Sequence, residues 1–229
     1  MKTVIFDFDG TLHQSSNMWR TIWHKLGYPT HRESYFRAIF NAFKEGELTH
    51  KEWTELTCKA FRQKGLTQKK VWDYAKDITL LDGAQELFQA LKENGYCLYI
   101  VSGNIEEVIK IALGNNQKYF SGICANKFVY DKRGNFKTIE ATTYDYEGKA
   151  KFIEKYKQKT GSMAQDIIFV GDGDNDEWAH LSGCRTICFN PHSETDAGNK
   201  TKWHRVVFSD NLASLIPEIM GDEIENENV

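Results

Sequence analysis

The sequence of 229 residues has no cluster of basic side chains and no long apolar run. Its 29 lysines and arginines are outnumbered by 32 aspartates and glutamates, which leaves a net charge of -3. Nucleic acids and anionic membrane surfaces both attract clustered positive charge, so neither is an expected partner. No apolar run reaches the roughly 18 residues that a membrane-spanning helix needs. With 41% hydrophobic and 13% aromatic residues, the composition predicts a soluble globular protein.

The five cysteines lack the spacing of a zinc site. Cys184 and Cys188 are close in sequence, but no second pair could complete a tetrahedral set of ligands. Most of the cysteines lie in apolar stretches, where a buried thiol acts as a small hydrophobic side chain. The chain begins with a strand-like segment that contains two aspartates, which is not the pattern of a signal peptide. We therefore expect a protein of the reducing cytoplasm.

Five short apolar runs predict the strands of a parallel sheet. The runs are nearly continuous instead of alternating, which is typical of strands that are buried on both faces. Amphipathic helical patterns lie between them. Strands that alternate with helices predict a doubly wound, Rossmann-like α/β sheet. The runs are residues 4–6, 97–101, 167–170, 186–189 and 206–208.

Residues 13–80 interrupt this alternation. They hold helical patterns and no convincing strand, so they predict a helical bundle that caps the strand ends. We accordingly predict a core made of residues 1–12 and 81–220, with residues 13–80 as its cap. The acidic residues 221–229 are predicted to form a flexible tail. A Gly/Asn turn between apolar residues within 122–141 predicts a hairpin.

Two aspartates follow the first predicted strand. The run DFDGT at 7–11 places Asp7 and Asp9 two residues apart, so both carboxylates point to the same side of the strand. Open α/β sheets bind ligands at the carboxyl ends of their strands. Because an uncompensated buried charge is costly, two aspartates at this place indicate a site with a charged partner.

More carboxylates follow the third predicted strand. The run GDGDND at 171–176 places Asp172 and Asp176 at the end of a second parallel strand, where they would converge with Asp7 and Asp9. Carboxylates, water and substrate phosphate oxygens are the ligands that Mg²⁺ prefers. The two runs together therefore predict a magnesium site.

Two further elements predict groups that bind phosphate. Ser102 and Gly103 follow the second predicted strand and precede a helix, where a hydroxyl and free backbone N–H groups would face a phosphate. Ser102 could instead only cap that helix. Lys149 opens the helix before the third strand and could neutralise phosphate charge, although a single lysine usually lies on the surface of a helix. Lys151 is the alternative to Lys149.

The four elements together resemble the motifs of the haloacid dehalogenase-like phosphatases. Their order is Asp-x-Asp-Gly-Thr, Ser-Gly, Lys and Gly-Asp-Gly-x-Asn-Asp, and the resemblance covers residues 3 to about 215. The helical insertion after the first motif is similar to that of the phosphoserine-phosphatase-like branch. The resemblance implies a Mg²⁺-dependent phosphatase that acts on a small phosphorylated metabolite through an aspartyl-phosphate intermediate.

The resemblance also implies a role for each residue of the motifs. Asp7 would be the nucleophile that receives the phosphoryl group, and a carboxylate is ionised at neutral pH without the help of a base. Asp9 would be the general acid that protonates the leaving alcohol and then the base that activates water. The implied substrate-binding residues are Ser102, Gly103, Lys149 and Asn175. The implied Mg²⁺ ligands are Asp7, the backbone carbonyl of Asp9, Asp172, and Asp176 directly or through water.

Two residues that are typical of phosphoserine recognition are missing. In the phosphoserine-phosphatase-like branch a Glu follows the first motif and an Arg of the cap holds the substrate carboxylate. Here these positions fall on Ser16 and Thr57, so we expect phosphoserine to be a poor substrate. Arg20, Arg37 or Arg62 could substitute for the missing arginine.

Trp19 and Trp23 suggest a different substrate. The two indoles could form an aromatic cage for a cation such as phosphocholine. Aromatic residues four apart are also typical of the core of a helical bundle.

Two alternative functions remain as hypotheses for this fold. One is a phosphotransferase or mutase with the same aspartyl-phosphate, and the other is a binding protein without catalytic activity.

Overall fold

The protein is described from a computed structural model, which covers residues 1–14, 18–144, 146–191 and 202–221. The seven described strands form one sheet. The strands are β1 Thr3–Phe6, β2 Cys97–Ile105, β3 Phe120–Tyr130, β4 Phe136–Glu140, β5 Ile167–Gly171, β6 Arg185–Phe189 and β7 Arg205–Val207. Their order is β4-β3-β2-β1-β5-β6-β7, and all neighbours are parallel except β3 and β4.

Eight α-helices surround the sheet in the described ranges, and none of them is long and apolar enough to cross a membrane. The helices are α1 Met18–Lys25, α2 Tyr35–Lys44, α3 His50–Gln63, α4 Gln68–Ala75, α5 Ala84–Glu93, α6 Glu106–Leu113, α7 Glu147–Thr160 and α8 Leu215–Met220. A 3-10 helix, Glu177–Ser182, lies between β5 and β6.

β1 lies at the centre of the sheet between β2 and β5. Its four residues are buried, because Val4 and Phe6 pack into one hydrophobic cluster and Ile5 packs into another on the opposite face. Burial on both faces explains why this strand has a continuous apolar sequence. The predicted fold class, a doubly wound α/β sheet with an inserted helical bundle, is confirmed.

The sequence pattern predicted only part of the pairing of β3. The hairpin expected within 122–141 is present, since β3 and β4 are antiparallel. However, β3 also pairs with β2 in parallel and so extends the main sheet. Its apolar residues are interrupted by Ser121, Gly122 and Lys127, and much of the strand is only half-buried. A search for continuous apolar runs therefore misses it.

Helices α1 to α4 occupy the chain between β1 and α5 and enclose a second hydrophobic cluster. Trp23 and Phe61 are fully buried in this cluster, which also includes Phe136 from the β3–β4 hairpin. The hairpin and these helices are joined through the backbone as well, since the Phe136 N–H donates to the Leu66 carbonyl at 3.0 Å. The helical bundle is therefore held against the core by the hairpin. Of the predicted tail, residues 222–229 lie outside the described part of the chain.

Candidate active site

The carboxyl ends of β1, β2 and β5 meet at one edge of the sheet, because β1 pairs with both of the other strands. This arrangement brings together Asp7, Ser102 and Asp172, all three of which are buried. They form the floor of a cavity of about 500 Å³ between the sheet edge and helices α1 to α3. The sequence motifs that were expected to converge do lie side by side.

Three buried carboxylates form a compact cluster at this edge. Asp7, Asp172 and Asp176 each offer an oxygen within 4.8 Å of the others. Asp176 is held by its own loop, since Oδ2 accepts hydrogen bonds from the backbone N–H groups of Asp172 and Gly173 at 3.1 and 3.2 Å. Burial, followed by the negative charges of Asp176 and Asp7, raises the pKa of Asp172 to about 9. Burial and the neighbouring carboxylates thus both disfavour the ionised form of Asp172, and a bound cation would favour it.

Two glycines of the motifs allow the carboxylates to approach the backbone. Gly10 has a φ of +82°, and a Cβ at this position would lie 2.1 Å from Oδ2 of Asp172. A Cβ at Gly171 would lie 2.3 Å from Cγ of Asp176. Any larger residue at either position would displace a carboxylate of the cluster.

Lys149 is the positive charge within the cluster. Its side chain is fully buried and forms ion pairs with Asp176 and, at 3.3 Å, with Oδ1 of Asp7. Lys151 instead lies on the surface of α7, where it pairs with Glu147 at 2.7 Å. The structure thus places Lys149 at the site and Lys151 outside it.

Asp9 lies at the same edge, beside a residue that the sequence analysis did not single out. Its Oδ2 accepts a hydrogen bond from the side-chain amide of Asn104 at 2.9 Å. Ser102 accepts one from the Asn104 backbone N–H at 3.2 Å. Helix α6 begins only at Glu106 and has no side-chain cap, so Ser102 is not its capping residue. The signal in the sequence that could have indicated the contact with Asp9 is the asparagine directly after the Ser-Gly motif.

The remaining predicted substrate-binding residues, Gly103 and Asn175, both line the cavity. The Gly103 carbonyl accepts hydrogen bonds from the indole N–H of Trp19 at 3.0 Å and from the amide of Asn126 at 2.7 Å. The carboxyl end of β2 is therefore fixed by the cap and by β3. Asn126 is a second residue that the sequence analysis missed, because its strand was not identified.

Oxygen-rich, negatively charged and buried, the carboxylate cluster fits a divalent cation. Mg²⁺ prefers carboxylate oxygens and retains part of its shell for water or substrate oxygens. The carboxylates of Asp7, Asp172 and Asp176 are the described groups that are close enough together to share one ion.

The positions that were expected to recognise phosphoserine do not supply a charge to the cavity. Ser16 lies outside the described residues, and Thr57 is fully buried in α3. Arg20 and Arg37 line a separate surface groove, and Arg62 donates to the Lys137 carbonyl at 2.7 Å. Among the described residues of the cap, none of the suggested arginines replaces the missing one.

The two tryptophans expected to form a cage are in different environments. Trp19 lines the cavity, whereas Trp23 is fully buried in the hydrophobic cluster of the cap. They therefore do not form a cage with each other. For Trp23, the interpretation as a core residue is the correct one.

Comparison with known proteins identifies the family. Residues 1–179 match the model of the haloacid dehalogenase-like hydrolases. The chain belongs to this family. It is 27% identical over 178 residues to a phosphoserine phosphatase of Methanocaldococcus jannaschii, with 76% of this chain and 79% of the relative covered. A phosphoserine phosphatase of Archaeoglobus fulgidus is 26% identical, and the match covers 82% of this chain and 52% of that relative.

A solved structure shares the fold of this chain. The phospho-aspartyl intermediate analogue of a phosphoserine phosphatase superposes with a TM-score of 0.71 at 24% identity, covering 95% of this chain and 98% of that one. The predicted resemblance to haloacid dehalogenase-like phosphatases is confirmed, and so is the enzyme class, a phosphoric monoester hydrolase.

Proposed function

We propose that this phosphatase hydrolyses a small phosphorylated metabolite with Mg²⁺, through an aspartyl-phosphate formed on Asp7. The observation that carries the proposal is the juxtaposition of Asp7 and Asp9 on the floor of one cavity, with buried Lys149 3.3 Å from Asp7. A nucleophile, an acid–base group and a cation are the parts that phosphoryl transfer through a carboxylate requires.

In the first step, a carboxylate oxygen of Asp7 attacks the phosphorus atom. A new bond forms between this oxygen and phosphorus, the bond between phosphorus and the ester oxygen breaks, and Asp9 protonates the leaving alkoxide. In the second step, Asp9 takes a proton from water as the water oxygen attacks phosphorus. The bond to Asp7 then breaks, and inorganic phosphate leaves with Asp7 restored.

The acidic cluster is suited to the metal that this family resemblance implies. Asp7, Asp172 and Asp176, with the backbone carbonyl of Asp9, would hold Mg²⁺. When bound, the ion would offset the repulsion between the anionic nucleophile and the phosphate and would stabilise charge on the phosphoryl oxygens. Lys149 contributes a second positive charge beside the same nucleophile.

The groups proposed to bind the phosphoryl oxygens lie at the carboxyl end of β2 and directly after β5. Ser102 offers a hydroxyl, while Gly103 and Asn175 line the wall next to Asp7. The hydrogen bonds from Trp19 and Asn126 to the Gly103 carbonyl keep this end of β2 in one arrangement, which favours a preformed binding site.

A panel of phosphorylated metabolites, assayed for phosphate release with Mg²⁺, tests the proposal. Acid-quenched samples should contain a phosphoryl group on the peptide that includes Asp7, and the Asp7→Asn variant should lose both signals. Transfer to added alcohols in preference to water would identify a phosphotransferase instead. Absence of phosphate release and of the modified peptide for every ester would contradict the proposed function.

A further inference from the structure

The wall of the cavity opposite the carboxylates consists of aromatic side chains. Trp19 comes from α1, Phe36, Phe40 and Phe43 come from α2, and Trp53 comes from α3. We call these five residues the aromatic wall. Since the phosphate must lie at Asp7 on the floor, the aromatic wall faces the part of the substrate that leaves with the ester oxygen.

Contacts within the aromatic wall fix its shape before any substrate binds. Trp19 packs edge-on against Trp53 with 5.4 Å between the ring centroids, and Phe43 stacks on Trp53 at 5.6 Å. Phe36 and Phe40 stack on each other at 6.3 Å. The indole N–H of Trp19 donates a hydrogen bond to the Gly103 carbonyl. A ligand that is buried here therefore contacts a rigid apolar surface, and its binding costs little side-chain entropy.

No lysine, arginine, aspartate or glutamate of the cap lines this cavity among the described residues. Besides the aromatic wall, the cap residue that lines the cavity is His50. The residues of the cap outside the described ranges, 15–17, are Ser, Ser and Asn by sequence, so they also carry no charge. A substrate carboxylate or ammonium that was buried against the aromatic wall would lose its hydration, and the cap cation at the rim, Lys44, is already paired with Asp174 at 3.7 Å.

Lys44 places a positive charge at the rim of the cavity. Lys44 directly follows Phe43, and its ammonium lies 5.6 Å from the ring centroid of Tyr146, which also lines the cavity. Lys44 is paired with Asp174 at 3.7 Å. A quaternary ammonium on the aromatic wall would gain cation–π attraction, but the carboxylate at the rim, Asp174, is already paired with Lys44.

We propose that the preferred substrate is a phosphate ester of an alcohol that carries an uncharged apolar group, a hydrocarbon ring or branched chain, which packs on the aromatic wall. This inference rests on the proposed function and specifies its substrate class. Apolar surface that moves from water onto such a wall stabilises the complex in proportion to the area buried.

Four esters of primary alcohols compare apolar with charged leaving groups, and the neohexyl and choline esters differ in charge but not in shape. Neohexyl phosphate is the uncharged carbon isostere of phosphocholine, and phenethyl phosphate is compared with phosphoserine. With saturating Mg²⁺, kcat/KM for each apolar ester should exceed that of its charged counterpart by at least about tenfold. Equal values, or a preference for phosphocholine or phosphoserine, would overturn the inference.

Binding to an inactive variant distinguishes the inference from the proposed function. The Asp7→Asn variant, titrated by calorimetry with Mg²⁺, should bind neohexyl phosphate at least about tenfold more tightly than phosphocholine. If this preference holds while the wild-type protein cleaves none of the esters, the proposed hydrolysis fails and the apolar site stands. If the two dissociation constants are equal or reversed, the apolar site is wrong whatever the wild-type activity.

Substitution within α2 localises the preference. Phe40 lines the cavity, whereas Tyr35 lies on the same helix, is exposed and does not line it. In Phe40→Ala, the ratio of kcat/KM for neohexyl phosphate to that for methyl phosphate should fall at least about fivefold, because the larger ester loses apolar contact. Tyr35→Ala should leave the ratio unchanged. An unchanged ratio in Phe40→Ala would remove the aromatic wall from substrate selection.

Discussion

The side-chain amide of Asn104 donates a hydrogen bond to Oδ2 of Asp9 over 2.9 Å. The carbonyl oxygen of the same amide accepts from the backbone N–H of Ile105 at 2.6 Å, so the amide cannot turn without losing a second bond. Asn104 is also buried. The carboxylate that is proposed to carry protons is therefore positioned by a residue that is itself fixed at the end of β2.

Replacement of Asn104 should impair turnover more than substrate binding. Asn104→Ala removes the bond that orients Asp9, and we expect kcat to fall by about tenfold to a hundredfold with little change in KM. Asn104→Asp places a like charge beside Asp9 and should cost more activity than the alanine. Asn94→Asp, an exposed position on the surface, is the matched control. A change confined to KM in both Asn104 variants would contradict the positioning role.

Asp7→Asn should abolish turnover and retain the fold. The amide is nearly the same size but is not a nucleophile, so we expect a loss of more than about a thousandfold in kcat. Thermal unfolding checks that the variant is folded, and the exposed Asp73→Asn is the control for a charge change away from the site. Substantial activity in a folded Asp7→Asn protein would rule out the covalent mechanism.

Removal of the metal should abolish activity reversibly. A chelator should inactivate the enzyme, Mg²⁺ should restore it, and Ca²⁺ should not, because Ca²⁺ takes a larger and looser set of ligands. Mg²⁺ should also raise the melting temperature of the wild-type protein, an effect that Asp172→Asn should weaken. Full activity in the presence of chelator would argue against Asp7 and Asp172 as metal ligands.

Lys149 and Lys151 provide a matched pair on one helix. Lys149→Met leaves Asp7 and Asp176 buried beside each other without their cation, so unfolding of the metal-free protein should become easier by about 3 kcal/mol. The exposed Lys151→Met should change stability by less than about 0.5 kcal/mol. Denaturant unfolding measures both, and similar values for the two variants would contradict the placement of Lys149.

Thr57 tests whether an arginine in the cap can restore phosphoserine recognition. Thr57 is fully buried, and its hydroxyl has no hydrogen-bond partner among the described residues. Thr57→Arg should therefore destabilise the protein, by about 3 kcal/mol or more, without improving phosphoserine turnover. Thr57→Val should be close to neutral, because it removes only an unpaired polar group. Faster phosphoserine hydrolysis by Thr57→Arg would mean that this position does reach the substrate.

Sequence patterns were sufficient wherever local periodicity or strand direction decides the outcome. The four helical patterns of the cap correspond to α1 to α4, since each presents one apolar face to a common core. Asp7 and Asp172 could be placed together from sequence because parallel strands end at the same edge of a sheet. The charge and type of these residues then indicated metal and phosphate chemistry.

Only the tertiary structure shows the surroundings of a side chain when they come from a distant segment of the chain. Lys149 and Lys151 are two residues apart on a helix and point to different sides, so only the packing of α7 shows which one meets Asp7. Trp19 and Trp23 share a helix face, yet one lines the cavity and the other is enclosed by the cap. Both distinctions arise from neighbours that are remote in sequence and close in space, and no local pattern encodes them.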